Sequence, residues 1–475
     1  MKYTLTLGLI VFMLKSRVEC KNAWETSRAD ATQRAIDLEM REEQASKTSI
    51  IAYKKSQMSA DEVAQEVTRI ENKCQELGNS CHVTKLSSIG VLEVEWEKPG
   101  HPHVDALIED SSKETGAEDE VVEAYDLPSD PHFSDQWALQ DLENGADINI
   151  EEGWDEYRSD AEGGSANGPS VIVAVIDTGV DYTHPDLADV MWVNPNEIAG
   201  NGVDDDENGV VDDVYGADFV THGVGGYGDP IDRHSHGTHC AGIVAAQENN
   251  DQGIAGVASF TQGKVKIMAV KGLSDSGSGT TSGLLACLNY AVANGAKISS
   301  NSYGGGSMSQ SMETVWSNVM RENLDHIYIA AAGNSGQLID DDHRTSQCVI
   351  NEPNVVCVAS STKDDAKSSF SNYGHGYVHV FAPGSSIVST TPISNTNGYG
   401  TKSGTSMACP MVSGIAALMY TMRQDLTGFE VRDYLEANVQ LKSQYTGLVS
   451  SGGLVDVGAT IKALKAGLLV VSYQD

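Results

Sequence analysis

Hydrophobic and polar residues follow two different patterns along the chain, and the first pattern covers residues 48 to 125. Val63, Val67 and Ile70 recur at helical spacing and predict a helix over residues 59–74. The βαββαβ order of the whole region favours a small α+β domain, in which the acidic stretch 109–120 is predicted to be a solvated loop. Short apolar or alternating runs predict strands at residues 48–52, 83–86, 91–96 and 121–125, and a second helix at 103–108.

The second pattern begins near Pro128 and continues almost to the end of the chain. Strands that are apolar at every position are typical of sheets buried on both faces, and their alternation with helices indicates parallel pairing. We therefore predict an α/β domain over residues 130–470, with helices on both faces of a mainly parallel sheet. The predicted strands include 171–176, 265–270, 327–332 and 355–359, and the predicted helices include 284–293 and 407–420.

The net charge of the chain narrows the range of binding partners that we expect. The chain of 475 residues carries 67 acidic and 31 basic side chains, which gives a formal net charge of −36. Such a surface repels polyanions and attracts cations, so nucleic-acid partners are disfavoured.

The first twenty residues have the pattern of a secretory signal peptide. Met1-Lys2 precedes an apolar run over residues 5–14 that is too short to cross a bilayer. No other stretch approaches the ~18 continuous apolar residues of a membrane helix, so we predict a secreted protein without a membrane span. An oxidising compartment would allow two pairs that are close in sequence to form disulfides, Cys74 with Cys81 and Cys348 with Cys357.

Four polar residues follow predicted strands or open predicted helices in the second region. Asp177 and Asn334 follow strands, whereas His236 and Ser406 precede runs of small apolar residues. Each residue alone has an ordinary structural explanation, because strand ends carry turn residues and helix starts carry hydroxyl caps. Each also has a chemical one. A carboxylate can orient a histidine base, a serine at a helix N-terminus can be a nucleophile, and an amide can stabilise an oxyanion.

The histidine cluster leaves a zinc enzyme open as an alternative. His234, His236 and His239 lie within six residues. However, His236 and His239 are spaced i, i+3, and the Glu of the H-E-x-x-H zinc helix is missing.

The order of the four polar residues along the chain, Asp, His, Asn and Ser, is that of subtilisin. On these motifs, residues 130–470 resemble the subtilisin family of serine endopeptidases, the subtilases. The resemblance implies a three-layer α/β fold in which Asp177 orients His236, and His236 serves as general base and then as general acid. It also implies that Ser406 is the nucleophile and Asn334 an oxyanion donor, and that peptide bonds are hydrolysed through an acyl-enzyme.

Two glycine-rich segments resemble the family's substrate-binding strands, whose backbone pairs with an extended peptide. Glycines there would let a peptide backbone approach closely. The alternative is that both segments are ordinary glycine loops. The candidate substrate-binding residues are Gly277, Ser278 and Gly279 in the first segment, and Ser302, Tyr303 and Gly304 in the second.

An acidic loop and a second pair of residues suggest bound Ca²⁺. The run D-D-D-E-N-G-V-V-D-D contains the first half of an EF-hand loop, although Tyr215 stands where the bidentate Glu would be. A subset of subtilases carries a similar acidic insertion, and a solvated loop is the alternative. By resemblance, Asp186 and Asn250 lie where the family's common calcium site draws ligands. The expected ligands in the acidic loop are Asp204, Asp206, Asn208, the Val210 carbonyl and Asp212.

Residues 47–127 are similar to the family's inhibitory prodomain in position and in their ferredoxin-like βαββαβ order. The resemblance implies a zymogen whose own prodomain is an intramolecular inhibitor and which cleaves itself between Asp126 and Gln136. We expect a monomer that acts on peptide or protein substrates. The alternative function is a catalytically inactive subtilase fold that serves as a calcium-dependent binding protein.

Overall fold

The computed structural model describes most of the chain beyond residue 127 and parts of the region before it. The predicted signal peptide at residues 1–20, the helix predicted at 103–108 and the strand predicted at 121–125 lie outside the described residues. The chain divides into two compact units, residues 1–125 and 126–475. The described residues are 48–53, 60–76, 81–86, 91–96, 114–118, 127–141, 144–159, 170–220, 226–261, 263–305 and 307–467.

The first unit contains an antiparallel sheet and a helix. Its strand order is β2-β3-β1-β4, with antiparallel pairing throughout, which is the order of a ferredoxin-like α+β domain. A disulfide between Cys74 and Cys81 joins the helix to β2, which confirms the first predicted pair. The elements are β1 (Thr48–Tyr53), α1 (Ala60–Glu76), β2 (Cys81–Leu86), β3 (Val91–Trp96) and β4 (Glu114–Glu118).

The loop prediction for residues 109–120 is wrong in part, because β4 forms within that stretch. β4 pairs with β1 so that Gly116 lies opposite Ile51. The sequence E-T-G-A-E has no alternation of apolar and polar residues, which is the signal that reveals a half-buried strand. β4 lies at the edge of the sheet, where main-chain hydrogen bonds to β1 define the strand and side-chain periodicity does not.

The second unit alternates strands and helices as its hydrophobic pattern predicts, and the predicted strands and helices are confirmed with bounds that shift by up to three residues. Its helices are α2 (Ile150–Arg158), α3 (His236–Ala245), α4 (Thr281–Ala293), α5 (Gln310–Glu322), α6 (Ile393–Thr396), α7 (Thr405–Met422), α8 (Gly428–Ala437) and α9 (Val457–Lys465). Its strands are β5 (Val171–Asp177), β6 (Gly216–Asp218), β7 (Val265–Lys271), β8 (Ile298–Asn301), β9 (Ile327–Ala331), β10 (Val355–Ser361), β11 (Val380–Pro383), β12 (Ile387–Thr390), β13 (Tyr399–Lys402), β14 (Val439–Leu441) and β15 (Gly453–Val455).

Nine of these strands form one twisted sheet between two helical layers. Its order is β14-β15-β11-β10-β9-β8-β5-β7-β6, and β14 alone pairs antiparallel with its neighbour. Alternate residues of β5 belong to different cores: Val173 and Val175 pack with α3 and α7, whereas Ala174 and Ile176 pack with α4 and α5. The three-layer, mainly parallel α/β fold predicted from the sequence is therefore observed.

The central helix of one layer is α7. Among the described residues it is the one helix long and apolar enough to cross a membrane, but 94% of it is buried inside the protein. Burial of that extent is typical of a core helix, and α7 packs against α3 and against strands β8, β9 and β10.

A second disulfide, between Cys348 and Cys357, anchors the turn before β10 to that strand. It confirms the other predicted pair. Cys240, Cys287 and Cys409 are buried thiols without a disulfide.

Candidate active site

Three neighbouring strands bring the predicted site residues to one edge of the sheet. β5, β8 and β9 are adjacent and parallel, so their carboxyl ends share an edge. Asp177 is the last residue of β5, Ser302 follows β8, and the Gly333–Asn334 turn follows β9. His236 and Ser406 lie in the first turns of α3 and α7 and line, with Ser302 and Asn334, a cleft of about 650 Å³.

Asp177 and His236 form a close pair. His236 Nδ1 lies 2.8 Å from Asp177 Oδ1 and 3.0 Å from Oδ2. The Asp177 side chain is fully buried, whereas 22% of the His236 side chain is exposed. Among the described residues, no hydrogen bond uses Nε2 of His236, so this nitrogen is left for the cleft. An Nδ1–H held by a buried carboxylate selects the tautomer whose Nε2 can accept a proton.

Asp232, a buried residue for which the sequence predicted no role, fixes the start of α3 through hydrogen bonds. Asp232 accepts hydrogen bonds from Thr238 N at 3.0 Å and from Thr178 Oγ1 at 2.9 Å. Thr178 Oγ1 in turn accepts from Gly237 N at 2.9 Å. These bonds fix the residue after Asp177 relative to the helix turn that carries His236. The spacing of Asp232 is not that of a helix cap, because the N-cap position is Ser235, so the sequence contains no capping signal for this contact.

The surroundings of His236 shift its proton affinity upwards. Burial by itself would lower the pKa of the imidazole. The Asp177 carboxylate and the adjacent Cys240 sulfur together outweigh burial and raise the pKa of His236 well above its ordinary value. The Cys240 thiol is itself fully buried, and burial raises its own pKa.

Ser406 is held by a reciprocal pair of hydrogen bonds with Ser302. Ser406 Oγ donates to the Ser302 carbonyl at 3.1 Å, and Ser302 Oγ donates to the Ser406 carbonyl at 2.9 Å. The Ser406 carbonyl needs this donor because the residue four positions on is Pro410, which has no N–H to close the helical turn. Cys240 Sγ, 3.4 Å away, is its second donor.

Within the described part of the chain, no hydrogen bond joins Ser406 Oγ directly to His236. Contacts of this kind are often long or misaligned without substrate and tighten in the complex. The hydroxyl must leave the Ser302 carbonyl before it can donate to His236 Nε2.

The Asn334 amide is oriented by the first residue of α7. Its Oδ1 accepts from Thr405 N at 2.8 Å and from Thr405 Oγ1 at 3.0 Å, so Nδ2 is turned to the other side. A Cβ on Gly404 would lie 3.4 Å from Asn334 Nδ2 and 3.6 Å from Ser406 N. The side-chain amide of Asn334 and the backbone N–H of Ser406 therefore flank the same small space next to Gly404. That space suits an oxyanion.

The turn that carries Asn334 depends on a second asparagine that the sequence did not single out. Asn372 Oδ1 accepts from Ser335 N and Gln337 N, and its Nδ2 donates to the Ala332 carbonyl. Gly333 has a φ of 99°, and a Cβ there would lie 2.6 Å from Asn372 Nδ2. A side chain at this position would thus be strained and would displace the amide that supports the turn.

All six candidate substrate-binding residues line the cleft. Neither segment is a strand of the sheet: Ser274 N donates to the Ser278 carbonyl in a turn, and Gly277 has a φ of 77°. The phenol of Tyr303 is buried and donates to Asn301 Oδ1, so this residue can meet a substrate only through its backbone. No backbone–backbone hydrogen bond within the described chain uses Tyr303 or Gly304.

The structure separates the three histidines of the zinc alternative. His239 Nε2 lies 3.1 Å from the carbonyl oxygens of Ile387 and Gly400, and burial lowers the pKa of His239 to about 3. A neutral ring next to two acceptors must carry its proton on Nε2, away from the cleft. His234 lines the cleft, with its ring 6.3 Å from that of His236. The three rings do not converge on one point.

In the acidic loop the structure gathers a different set of carboxylates from the expected one. Glu197, Asp206 and Asp213 each offer an oxygen within 4.8 Å of the others. Asp212 instead accepts the backbone N–H groups of Asn201 and Gly202. Asp204 is likewise used by the loop backbone, through Asn208 N and Gly209 N, and Val210 is buried.

Asp186 and Asn250 do come together. Asn250 Nδ2 donates to Asp186 Oδ1 at 2.8 Å. Asp130, which the sequence did not single out, accepts the backbone N–H groups of Asn249 and Asn250. Burial, with the neighbouring Asp186 carboxylate, raises the pKa of Asp130. Two carboxylates that are more than nine-tenths buried thus lie beside the same loop.

A mainly parallel three-layer α/β domain with an Asp–His pair and a helix-borne serine at one sheet edge is a protein of the subtilisin-like fold. The family model described as the subtilase family matches residues 168–454. The chain belongs to this family.

Individual relatives support the assignment. The chain is 36% identical to thermitase of Thermoactinomyces vulgaris over 334 residues, which are 69% of this chain and 97% of thermitase. It is 34% identical to subtilisin-like protease 1 of Plasmodium vivax over 317 residues, and it spans about half the length of that relative, 47%, and 62% of its own. A solved protease structure from Pseudoalteromonas arctica has 28% identity, a TM-score of 0.53, and covers 71% of this chain and 99% of its own.

The raised pKa of His236 can be measured in a chain carrying Ser406→Ala. We expect the His236 ring to titrate by NMR above the ordinary histidine value of about 6.5, and to titrate lower when Asp177→Asn is added. Because the folded pKa is raised, the pair stabilises the fold fully below about pH 6.5, and that contribution is lost as pH rises through the folded pKa. Asp275→Asn, which removes an exposed carboxylate, should leave the titration unchanged. An unshifted His236 in both chains would contradict the role of Asp177.

Proposed function

We propose that this protein is a serine endopeptidase that hydrolyses peptide bonds through an acyl-enzyme formed on Ser406. The observation that carries the proposal is the arrangement at the sheet edge. A buried carboxylate lies 2.8 Å from His236 Nδ1, and Ser406 lines the same cleft at the N-terminus of a buried helix. The membership of the subtilase family agrees with it.

In the proposed reaction His236 Nε2 takes the proton of Ser406 Oγ as the oxygen attacks the substrate carbonyl. Asp177 stabilises the imidazolium that forms. The oxyanion lies between Asn334 Nδ2 and Ser406 N, where the positive end of α7 adds to the stabilisation. His236 then protonates the leaving amine, and water attacks the acyl-enzyme by the reverse route.

The substrate is proposed to bind as an extended peptide between the two glycine-rich segments. The backbone groups of Tyr303 and Gly304 take no part in backbone–backbone pairing within the described chain, so they can pair with an added strand. The turn at Gly277 lines the same cleft.

Removing the nucleophile should abolish the activity. For Ser406→Ala we expect kcat on a chromogenic peptide to fall by about 10⁶-fold, the magnitude known for subtilisin. Asn334→Leu keeps the size of the side chain but not its donor, and should lower kcat by roughly 10²- to 10³-fold with little change in KM, again as in subtilisin. Both are measured by steady-state kinetics on mature protein, after active enzyme has been used to process the Ser406→Ala chain and has been removed from the sample.

A fluorophosphonate probe gives an independent measurement. It should label the wild-type chain on Ser406 and leave Ser406→Ala unlabelled. An unlabelled wild-type protein that is folded by circular dichroism would favour the alternative of an inactive calcium-dependent binding protein.

We further propose that the chain is made as a secreted zymogen that acts as a monomer. The N-terminal sequence has the pattern of a signal peptide, and two disulfides are typical of an oxidising compartment. The ferredoxin-like first unit is proposed to be the inhibitory prodomain. Ser129 and Asp130 are hydrogen-bonded to Asn249 within the second unit, so we propose that the cut, expected between Asp126 and Gln136, falls before Ser129.

Processing should depend on Ser406. Wild-type protein expressed alone should lose its N-terminal unit by a cut between Asp126 and Gln136, mapped by N-terminal sequencing, whereas Ser406→Ala should keep it. As a control, active mature enzyme added to the Ser406→Ala chain should restore the cut. Normal processing of Ser406→Ala on its own would show that another protease is responsible.

Calcium is the proposed cofactor. In the acidic loop the fitting ligands are Glu197, Asp206 and Asp213, because Glu197 Oε2 is a buried oxygen with no hydrogen-bond partner. Asp213 is fully buried, and burial raises its pKa. A hard divalent cation would compensate three converging carboxylates. Asp186, Asn250 and Asp130 are proposed to hold a second ion.

Calcium should stabilise the fold, with the Ser406→Ala chain used to prevent self-digestion. Saturating Ca²⁺ should raise the melting temperature relative to excess chelator, since a ligand at 100 times its Kd stabilises the native state by about 2.7 kcal/mol. Asp213→Asn should reduce the shift. Glu207→Gln removes one charge from the same loop outside the carboxylate cluster, and should not. A melting temperature that is insensitive to Ca²⁺ would refute the proposal.

A further inference from the structure

One buried polar atom in the cleft has no partner. The Oε1 atom of Gln347 makes no hydrogen bond, although the residue is only 8% exposed and lines the same cleft as Ser406. A buried acceptor that is left unsatisfied destabilises the fold. Such an atom in a binding cleft can be satisfied by a ligand donor.

Gln347 is positioned rigidly. It opens a single helical turn in which Ile350 N donates to its carbonyl, and the next residue, Cys348, is tied to β10 by a disulfide with Cys357. Its amide therefore cannot follow a substrate by moving the backbone. A fixed acceptor discriminates between ligands better than a mobile one.

The amide lies under the segment that is proposed to bind the substrate backbone. A Cβ on Gly304 would lie 3.2 Å from Gln347 Oε1, so the absence of a side chain at Gly304 leaves this oxygen uncovered. Ser302, Gly304, Ala331 and Asn334 line the same cleft as Gln347. A substrate carbonyl held by Ser406 and Asn334 would bring the side chain of the same residue into this cleft, where Gln347 Oε1 is an uncovered acceptor beside Gly304.

We infer that Gln347 selects the side chain on the acyl side of the scissile bond, and that it favours uncharged side chains with a hydrogen-bond donor: Gln, Asn, Ser and Thr. Among the described residues that line the cleft there is no Asp, Glu, Lys or Arg. A substrate Lys or Arg could donate to Oε1, but its buried charge would have no counter-charge. An apolar side chain would leave Oε1 unsatisfied. The inference rests on the proposed peptidase function and specifies its substrate class.

The test uses mature enzyme and peptide pairs that differ only at the residue before the scissile bond, Gln against Met and Thr against Val. We expect the wild-type kcat/KM to be at least tenfold higher for the Gln peptide than for the Met peptide, and for the Thr peptide than for the Val peptide. The reason is that a site built to hydrogen-bond a substrate rejects the analogue that lacks the donor. Gln347→Met should abolish or reverse the preference. Gln337→Met makes the same change in an exposed residue of the preceding loop and should preserve it.

A second variant guards against misfolding of the first. Gln347→Glu keeps the shape of the side chain and adds a negative charge, so it should shift the preference to Lys and Arg. Equal or better cleavage of Met and Val by the wild-type enzyme, or a preference unchanged in both Gln347 variants, would overturn the inference. Labelling of Ser406 by fluorophosphonate in those same samples would show that the peptidase proposal still stands. Absence of labelling in the wild type would overturn both.

Discussion

The parallel direction of β5, β8 and β9 is the constraint on which the site depends. Parallel neighbours place their carboxyl ends at one edge, so Asp177, Ser302 and the Asn334 turn arrive there from three separate parts of the chain. The helices α3 and α7 then cross one face of the same strands and present His236 and Ser406 from their first turns. An antiparallel exchange of any one strand would send its functional residue to the opposite edge.

The hydrogen bonds at the start of α7 connect this topology to the chemistry. Pro410 deprives the Ser406 carbonyl of its helical donor, and an unsatisfied buried carbonyl would be costly. Ser302, at the end of β8, supplies the replacement donor and accepts the Ser406 hydroxyl in return. The helix defect thus becomes a fixed link between the sheet and Ser406. In the proposed reaction, Ser406 Oγ must rotate away from the Ser302 carbonyl before it can donate to His236.

The sequence predicted those features that depend on periodicity or on a spaced motif. The fully apolar strands and the buried helix α7 were visible because sheets covered on both faces need apolar residues at every position. Asp232 and Asn372 were not singled out, because Thr178 and the Asn334 turn, which they hold in place, lie in other segments and only the folded chain brings them together. Asp212 and Asp213 are adjacent identical residues, and the loop backbone alone decides which one faces Glu197. The sequence did not predict β4 as a strand, because an edge strand needs no apolar face.

The electrostatics of the cleft depend on the absence of acidic and basic side chains from the described residues that line it. The protein carries a formal charge of −36, yet the described residues that line the cleft include no carboxylate and no Lys or Arg. Asp177 lies beneath the lining and is fully buried. Exposed acidic residues farther away are screened within about 10 Å at moderate salt, whereas a buried contact at 2.8 Å is not. The proton affinity of His236 is therefore governed by its burial and by its close contacts with Asp177 and Cys240. A neutral polar group such as Gln347 can discriminate substrates in a cleft that does not already attract charged side chains.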